Sequence, residues 1–493
     1  MKTALTFFLF FSYWLSLIQV TLGTPTQPSP TQIDTVGINT FIQQYLQKTN
    51  ISGIAVAIVD KHKTLFTKGY GQTSNNHIIT GNTPFAIASL SKSFTALAII
   101  HLVEAGKIKL TLPVAHYLPT FRIHDPEGSK ITVEQLLYQT SGLSDLGFPD
   151  MKLDQPHSLE KAMVRLQQAH LSSSPGQKYH YHNPNYQILA RLVEVGSQEE
   201  FSTYLKKHIF VPLHMDHTVN VTHTQELYTK TGGNLTKGYY SLFGTSLAKE
   251  EPDWFVSGSA GMVSTVNDMA NWLRLHLNNG TIDNTQLLSS KGIQILHTPP
   301  TDVKSNYAMG WKAGNDDELS HGGILWTYQS EQTLLIKEGY GIVVLCNNGI
   351  NAFQDFHGFM EGITTLLRNQ PVEASGLSNN SYVILSILAI GIAIGMGIYR
   401  LYDSSKWIVN YSKGSKLRSW FVLSLRLIPC SLLLFIPHLI TFASGRVLHW
   451  EGIFLMMPEI IIWLGIVAIM NILIACGQLI LLTKARKSDL IAS

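Results

Sequence analysis

Three apolar stretches in the last quarter of the chain, at 382–399, 421–442 and 460–482, constrain this protein more than any other feature. Each is about as long as an α-helix must be to cross a hydrocarbon core, roughly 20 residues. They also account for the composition: 14% of the 493 residues are charged and 45% hydrophobic, where a soluble chain carries roughly a quarter charged. The connectors give an orientation. Arg400, Lys406, Lys413, Lys416 and Arg418 follow the first stretch, Lys484, Arg486 and Lys487 follow the third, and Arg446 is the one clearly basic residue between the second and third. Because Lys and Arg accumulate on the cytoplasmic side, the first connector and the C-terminal tail are expected inside and everything before residue 382 outside. This makes a multi-pass protein of the cell membrane. Arg426 and Glu459, near the ends of their stretches, are expected to snorkel to the interface.

The N-terminus agrees independently. Lys2, an apolar run over 4–20 and then Thr21, Leu22 and Gly23 form a signal-peptide pattern over 1–23, and the Thr-, Pro- and Gln-rich 24–33 reads as a spacer. A net charge of +3, with no basic patch outside the membrane flanks, gives no reason to expect nucleic acid as a partner. Cys346, Cys430 and Cys476 are too few and too scattered to imply a disulfide framework.

Residues 34–368 remain for one large domain, joined to the first span by a linker at 369–381. Ile38, Phe41, Ile42, Tyr45 and Leu46 recur at helical spacing, so an amphipathic helix comes first. Apolar runs at 54–59 and 64–66 predict an antiparallel hairpin, and runs at 333–336 and 341–345 predict another. Dense helical signals lie between them. Strands at both ends and helices in the middle predict one antiparallel sheet assembled from distant parts of the chain, interrupted by a helical region.

Ser89-Leu90-Ser91-Lys92 opens an apolar helical run through Phe94, Leu97, Ile100 and Leu102. The i,i+3 spacing brings the Lys92 ammonium to the Ser89 hydroxyl, and a helix N-terminus and burial both push a lysine towards its neutral form. A serine can thereby become a nucleophile without histidine. The motif alone says little, because Ser158-Leu159-Glu160-Lys161 and Ser246-Leu247-Ala248-Lys249 match it too. Two motifs downstream occur once each: Tyr181-His182-Asn183 and His321-Gly322-Gly323. A phenol can relay the proton, an amide can orient the substrate and Lys92, and glycines let a substrate backbone lie against a strand edge. Taken singly, Ser89 reads as a helix N-cap, Tyr181 as packing and His321 as a turn residue; jointly they read as a site. His180 and His182 are expected to line the cleft or face solvent, with no metal, and Trp254, Trp272 and Trp311 to be core or cleft-wall aromatics.

In these motifs the sequence resembles the serine β-lactamase-related proteins, which include class C β-lactamases, DD-peptidases and family VIII esterases. Ser89-x-x-Lys92, Tyr181-x-Asn183 and His321-x-Gly323 match the family's three motifs in order, and the stretches 85–97, 136–143 and 261–265 are similar to its flanking segments. The whole chain looks like bacterial penicillin-binding-protein-like members that carry a membrane tail. The resemblance implies an α/β sandwich with a central antiparallel sheet beside an all-helical subdomain, followed here by three transmembrane helices, with a site in the cleft. It implies that Ser89 attacks a carbonyl, that Lys92 and Tyr181 handle protons, and that Asn183 holds the substrate amide. The backbone N–H groups of Ser89 and Ile324 would form the oxyanion hole beside Gly323, and His321 would face the substrate, neutral or positive. No cofactor is implied; the substrate is a small peptide, a β-lactam or an ester. One departure concerns specificity: Gly322 stands where DD-peptidases and β-lactamases commonly carry Thr or Ser, whose hydroxyl grips a substrate carboxylate. This leaves room for an esterase or peptidase with a substrate other than peptidoglycan, or for a slowly deacylating β-lactam-binding sensor.

Overall fold

The computed structural model describes residues 33–351, 356–372, 378–404, 406–407, 409 and 416–492, with side chains to 484. The expected signal peptide and nearly all of the spacer lie outside the described residues.

Helix α1 (Thr35–Thr49) buries Ile38, Phe41, Ile42 and Tyr45, the stripe read from the sequence. Strands β1 (Gly53–Val59) and β2 (Thr64–Gly71) form the first hairpin. After the short β3 (Phe85–Ala86), helix α2 (Ser91–Glu104) is apolar almost all round and runs through the core. A helical region follows, with α3 (Asn183–Ser197) as its longest helix and the two-residue β4 (Val219–Asn220) after it. Then come the hairpin β5 (Gly238–Leu242) and β6 (Thr245–Lys249), strand β7 (Met262–Ser264) and helix α4 (Val266–Leu277). Strands β8 (Lys312–Ala313), β9 (Glu318–Ile324), β10 (Gln329–Leu335) and β11 (Tyr340–Cys346) complete the main sheet, and α5 (Phe356–Leu367) closes this region.

The main sheet is antiparallel throughout, in the order β8-β9-β10-β11-β1-β2. Its centre is the pairing of β1 with β11, Ile54 opposite Cys346 through Val59 opposite Gly341, which joins residues almost 300 apart in the chain. Both strands are buried nearly end to end, because both faces of the sheet are covered. On one face Ala55, Ala57, Val343 and Leu345 join the core that contains α2 and α4, where Phe94 stacks on Trp272 at 3.7 Å. On the other face lie α1, whose Asn39 takes hydrogen bonds from Lys68 and Tyr70, and α5, whose Phe359 packs on Phe41 and Tyr45. This is the α/β sandwich with central antiparallel sheet and helical region expected from sequence.

Three helices long and apolar enough to cross a membrane follow, over Asn379–Tyr402, Lys416–Ser444 and Pro458–Lys484. We label the first α6 (Asn379–Tyr402); the second ends in α7 (Ile428–Ser444), and α8 (Trp450–Met456) leads into the third, α9 (Pro458–Ala492). Their surfaces are apolar, with Leu388, Phe435 and Phe442 exposed. The Arg426 Nε donates to the Gln478 side chain of the third helix at 3.1 Å, and the buried Glu459 carboxylate accepts the Phe243 N–H of the β5–β6 turn, so each has a polar partner within the protein. Asn379 also donates to the Gly244 carbonyl, so α6 and α9 both start against the β5–β6 turn.

Candidate active site

The turn that carries Ser89 is pinned from two sides. Strand β3 pairs with β7, after which the Ile87 N–H donates to the Met262 carbonyl at 2.9 Å, and the Ser330 hydroxyl of β10 donates to the Ile87 carbonyl at 2.7 Å. Ala88 is thereby held at φ +49°, a left-handed conformation unusual for a residue with a side chain. Ser89 follows in a 3₁₀ turn that leads into α2, and while its neighbours are buried it remains partly exposed.

One turn further, Lys92 is fully buried, and its Nζ donates to the Ser89 Oγ at 3.1 Å, the Asn183 Oδ1 at 2.9 Å and the Ser259 carbonyl at 2.8 Å. Burial first, and then the charge of Arg446, hold the ammonium well below its ordinary lysine range, while Asp150 opposes them. Tyr181 lies with its ring centroid 4.8 Å from the Lys92 Nζ, and its hydroxyl shares a hydrogen bond with Ser89. Burial pushes the phenol up to about 12, against the lowering effects of Ser89 and Arg446, so it is protonated at neutral pH. Asn183 begins α3. Its placement depends on Gln139, a positive-φ residue whose Oε1 accepts the His182 N–H and the Asn185 amide.

Strand β9 passes close beside the nucleophile turn. A Cβ on Gly323 would come within 2.5 Å of the Ile87 carbonyl oxygen and 2.2 Å of the Ser330 Oγ, whereas one on Gly322 would meet nothing within 4 Å. Glycine is therefore required at 323 by packing, and 322 faces open space. Ile324 is exposed at the end of the strand. His321 is buried, with its ring 6.3 Å from that of Tyr181 and its Nε2 3.3 Å from the Tyr307 hydroxyl. Burial, reinforced by Lys92 and Lys312, lowers it to about 3, which fixes it as neutral.

Ser89, Lys92, Tyr181, Asn183, His321 and Gly323 are thus brought together around the nucleophile turn, and Ile324 follows at the end of β9. The expectation for His182 is corrected: it is wholly buried, with its Nδ1 2.8 Å from the Asp145 carboxylate, because its position just before α3 turns it away from Tyr181 into the helical region. Trp272 and Trp311 are fully buried and Trp254 nearly so. Four contributors were not read from the sequence: the Ser259 carbonyl, the strained Ala88, and the Asp145–Arg446 pair at 2.9 Å. Arg446 alone had left a signal, as the single basic residue of its loop.

The Beta-lactamase family model matches residues 38–358. The chain belongs to this family. Members of the family are generally serine hydrolases, and a serine held between a buried lysine and a phenol has the parts that acyl transfer needs. Similarity extends beyond the matched domain in Protein flp of Staphylococcus aureus (strain MRSA252), 28% identical over 451 residues that cover 88% of this chain and 86% of that protein. The protein named "Putative penicillin-binding protein PbpX" of Bacillus subtilis (strain 168) is 30% identical over 330 residues, 65% of this chain and 76% of the other. Among solved structures, the octameric penicillin-binding protein homologue from Pyrococcus abyssi superposes with a TM-score of 0.58 at 23% identity, covering 69% of this chain and 78% of the other, and shares its fold.

Proposed function

We propose that this chain is a membrane-anchored, extracytoplasmic serine hydrolase that works through an acyl-enzyme on Ser89, with a penicillin-binding-protein-like catalytic domain over 34–368. One observation carries the reading: the Nζ of a lysine that is wholly buried, and held well below its ordinary range, lies 3.1 Å from the Oγ of a partly exposed serine, and in the neutral amine the two N–H groups go to the Asn183 Oδ1 and the Ser259 carbonyl, which leaves the lone pair for the Ser89 proton. Neutral Lys92 takes the Ser89 proton as the Oγ attacks a substrate carbonyl. The oxyanion that forms is met by the backbone N–H groups of Ser89 and Ile324, where preorganised donors are worth several kcal/mol of barrier. Tyr181, protonated at neutral pH, passes its proton to the leaving group and regains one from the Lys92 ammonium, so that the leaving group departs, the acyl group stays on Ser89 and Lys92 is neutral again. Asn183 keeps Lys92 oriented through its Oδ1 and has its amide N–H groups for the substrate. Water then attacks the ester, with the same groups returning the proton.

The sidedness rests on the basic connectors, which place 34–368 outside the cell, in agreement with the N-terminal signal pattern. The substrate side of the reading is divided by Gly322 and His321. With open space in place of a hydroxyl and a neutral imidazole in place of a cation, β9 has little with which to grip a carboxylate, which favours an ester or amide substrate outside peptidoglycan as the second reading.

The test uses the full chain in detergent micelles, with a fluorescent penicillin and separately a chromogenic short-chain ester. Ser89-dependent penicillin labelling favours the peptidoglycan-directed enzyme, and ester turnover without labelling favours the second reading. Labelling without turnover of any acyl substrate favours a sensor. If Ser89→Ala keeps activity, the nucleophile is wrongly assigned.

A further inference from the structure

The loop between the second and third membrane helices lies on the catalytic cleft. Arg446, the second residue after α7, is largely buried, and its Nε donates to the Asp145 Oδ2 at 2.9 Å. The Val447 N–H donates to the same oxygen at 3.0 Å. The other oxygen of Asp145 meets the His182 Nδ1 at 2.8 Å, and His182 is the middle residue of the Tyr181-x-Asn183 motif. The Arg446 guanidinium also stands 5.5 Å from the centroid of the Tyr181 ring. The loop is then fixed further along. Leu448 packs against the hydrolase core, Glu451 pairs with Lys249 at 3.0 Å, and Gly452 sits so close to the Trp326 ring that a Cβ would come within 2.4 Å of it. Trp326 stands two residues beyond Ile324.

From this geometry we infer that the 445–456 loop of the membrane region is a wall of the active site, and that Arg446 is a positioning residue for the reaction at Ser89. The inference rests on the reading of Ser89 and Lys92 given above.

The physical argument concerns a buried carboxylate. Asp145 is almost completely buried beside the tyrosine of the site, and a charge in that position needs partners that neutralise it. Arg446 and the Val447 N–H supply them from a segment 300 residues away. With the pair intact, the field at Lys92 and Tyr181 is positive. It disfavours the ammonium and favours ionisation of the phenol, the directions in which Arg446 acts on both groups. With Arg446 removed, Asp150 is the charge left acting on Lys92 and Asp145 the one left acting on Tyr181, and each pushes its group in the opposite direction. The other groups that face Lys92 are Ser89, Asn183, Tyr186, Asp150 with its Arg165 partner, and neutral His321; those that face Arg446 are Asp145 with His182, Tyr181 and Tyr179. None of them except Arg446 belongs to the membrane region. The membrane hairpin therefore contributes to the chemistry as well as to attachment.

The test compares Arg446→Gln, Arg446→Lys and Gly452→Val with the parent, each as the full chain in detergent, by the pH profile of Ser89 acylation. The reaction needs neutral Lys92, so its rate is lost as pH falls through the lysine's pKa. Loss of the Arg446 charge raises that pKa, and the acid limb is expected to move to higher pH, with slower acylation at every pH on the limb. Arg446→Lys keeps the charge and is expected to keep the limb. Gly452→Val keeps the Arg446 side chain but pushes the segment that carries it off Trp326 and away from Asp145, and is expected to shift the limb in the same direction as Arg446→Gln. It also serves where Arg446→Gln fails to fold. Profiles of Arg446→Gln or Gly452→Val that overlay the parent overturn the inference while leaving the assignment of Ser89 standing. Activity that survives Ser89→Ala overturns the underlying reading instead.

Discussion

The hydrolase region and the membrane region treat the same residues in opposite ways. In the hydrolase region Phe94 and Trp272 are fully buried against each other, and the polar groups inside it, Lys92 above all, are held by three acceptors. In the membrane helices Phe435 and Phe442 face outward, and the polar side chains Arg426 and Gln478 turn to each other. The difference is one of solvent. Apolar area gains by leaving water, whereas in lipid the gain disappears and unsatisfied polar atoms become the dominant cost. Where the two regimes meet, at 446–459, the charges of the membrane region are all spent on the hydrolase: Arg446 on Asp145, Glu451 on Lys249, Glu459 on the Phe243 N–H.

That contrast can be broken by paired substitutions. Phe94→Ala should cost about 3–5 kcal/mol of stability by leaving a cavity in a packed core, and Phe435→Ala, facing lipid, should change it by less than about 0.5 kcal/mol, as at an ordinary surface position. Thermal unfolding of the two variants in the same detergent measures this, and equal losses would mean that Phe435 is packed against protein. Next in size is a pair on β9. Gly323→Val forces the strand away from the Ile87 carbonyl, and a displacement of about 1 Å at a reacting centre costs on the order of a hundredfold in rate. Gly322→Val points into open space and should leave both folding and the reactivity of Ser89 close to the parent's. Acylation rates with a fluorescent β-lactam or activated ester separate them.

A smaller effect is set by pH. Acylation should decline towards acid pH, by about tenfold per pH unit once Lys92 is protonated, with no basic limb from Tyr181 below about pH 10 because its pKa is about 12. A single-turnover profile from pH 5 to 10 checks this, and a rise towards acid pH would exclude Lys92 as the base. The smallest effect is expected at the half-exposed Lys249–Glu451 pair, where Glu451→Gln should alter stability by less than about 1 kcal/mol. A larger loss in thermal unfolding would show that α8 is held to the β5–β6 hairpin mainly by this contact.

Local pattern made much of the fold legible. The three membrane helices follow from length and apolarity alone, since crossing a hydrocarbon core requires a run of about 20 residues whatever surrounds it. The two hairpins follow from paired short apolar runs and the first helix from a period of 3.6, although β2 and β10 each run several residues beyond the apolar core that announced them, because pairing with a neighbour extends a strand past its hydrophobic stretch. Ser89 and Lys92 were legible for a similar reason: three residues apart on a helix, they meet whatever the rest of the chain does. Tyr181, Asn183 and His321 were legible only as motifs in a family's order, their meeting with Ser89 being a matter of long-range packing.

The sequence by itself determined many of the elements, the spacing of Ser89 and Lys92, and three helices long and apolar enough to cross a membrane, because these depend on interactions within a few turns of chain. Only the tertiary structure decided the protonation of Lys92, the burial that makes His321 neutral, the turning of His182 towards Asp145, and the arrival of Arg446 at the cleft. Each of these is an electrostatic or desolvation property. It depends on what surrounds a charge in three dimensions, and the Arg446 that pairs with Asp145 lies about 300 residues further along the chain.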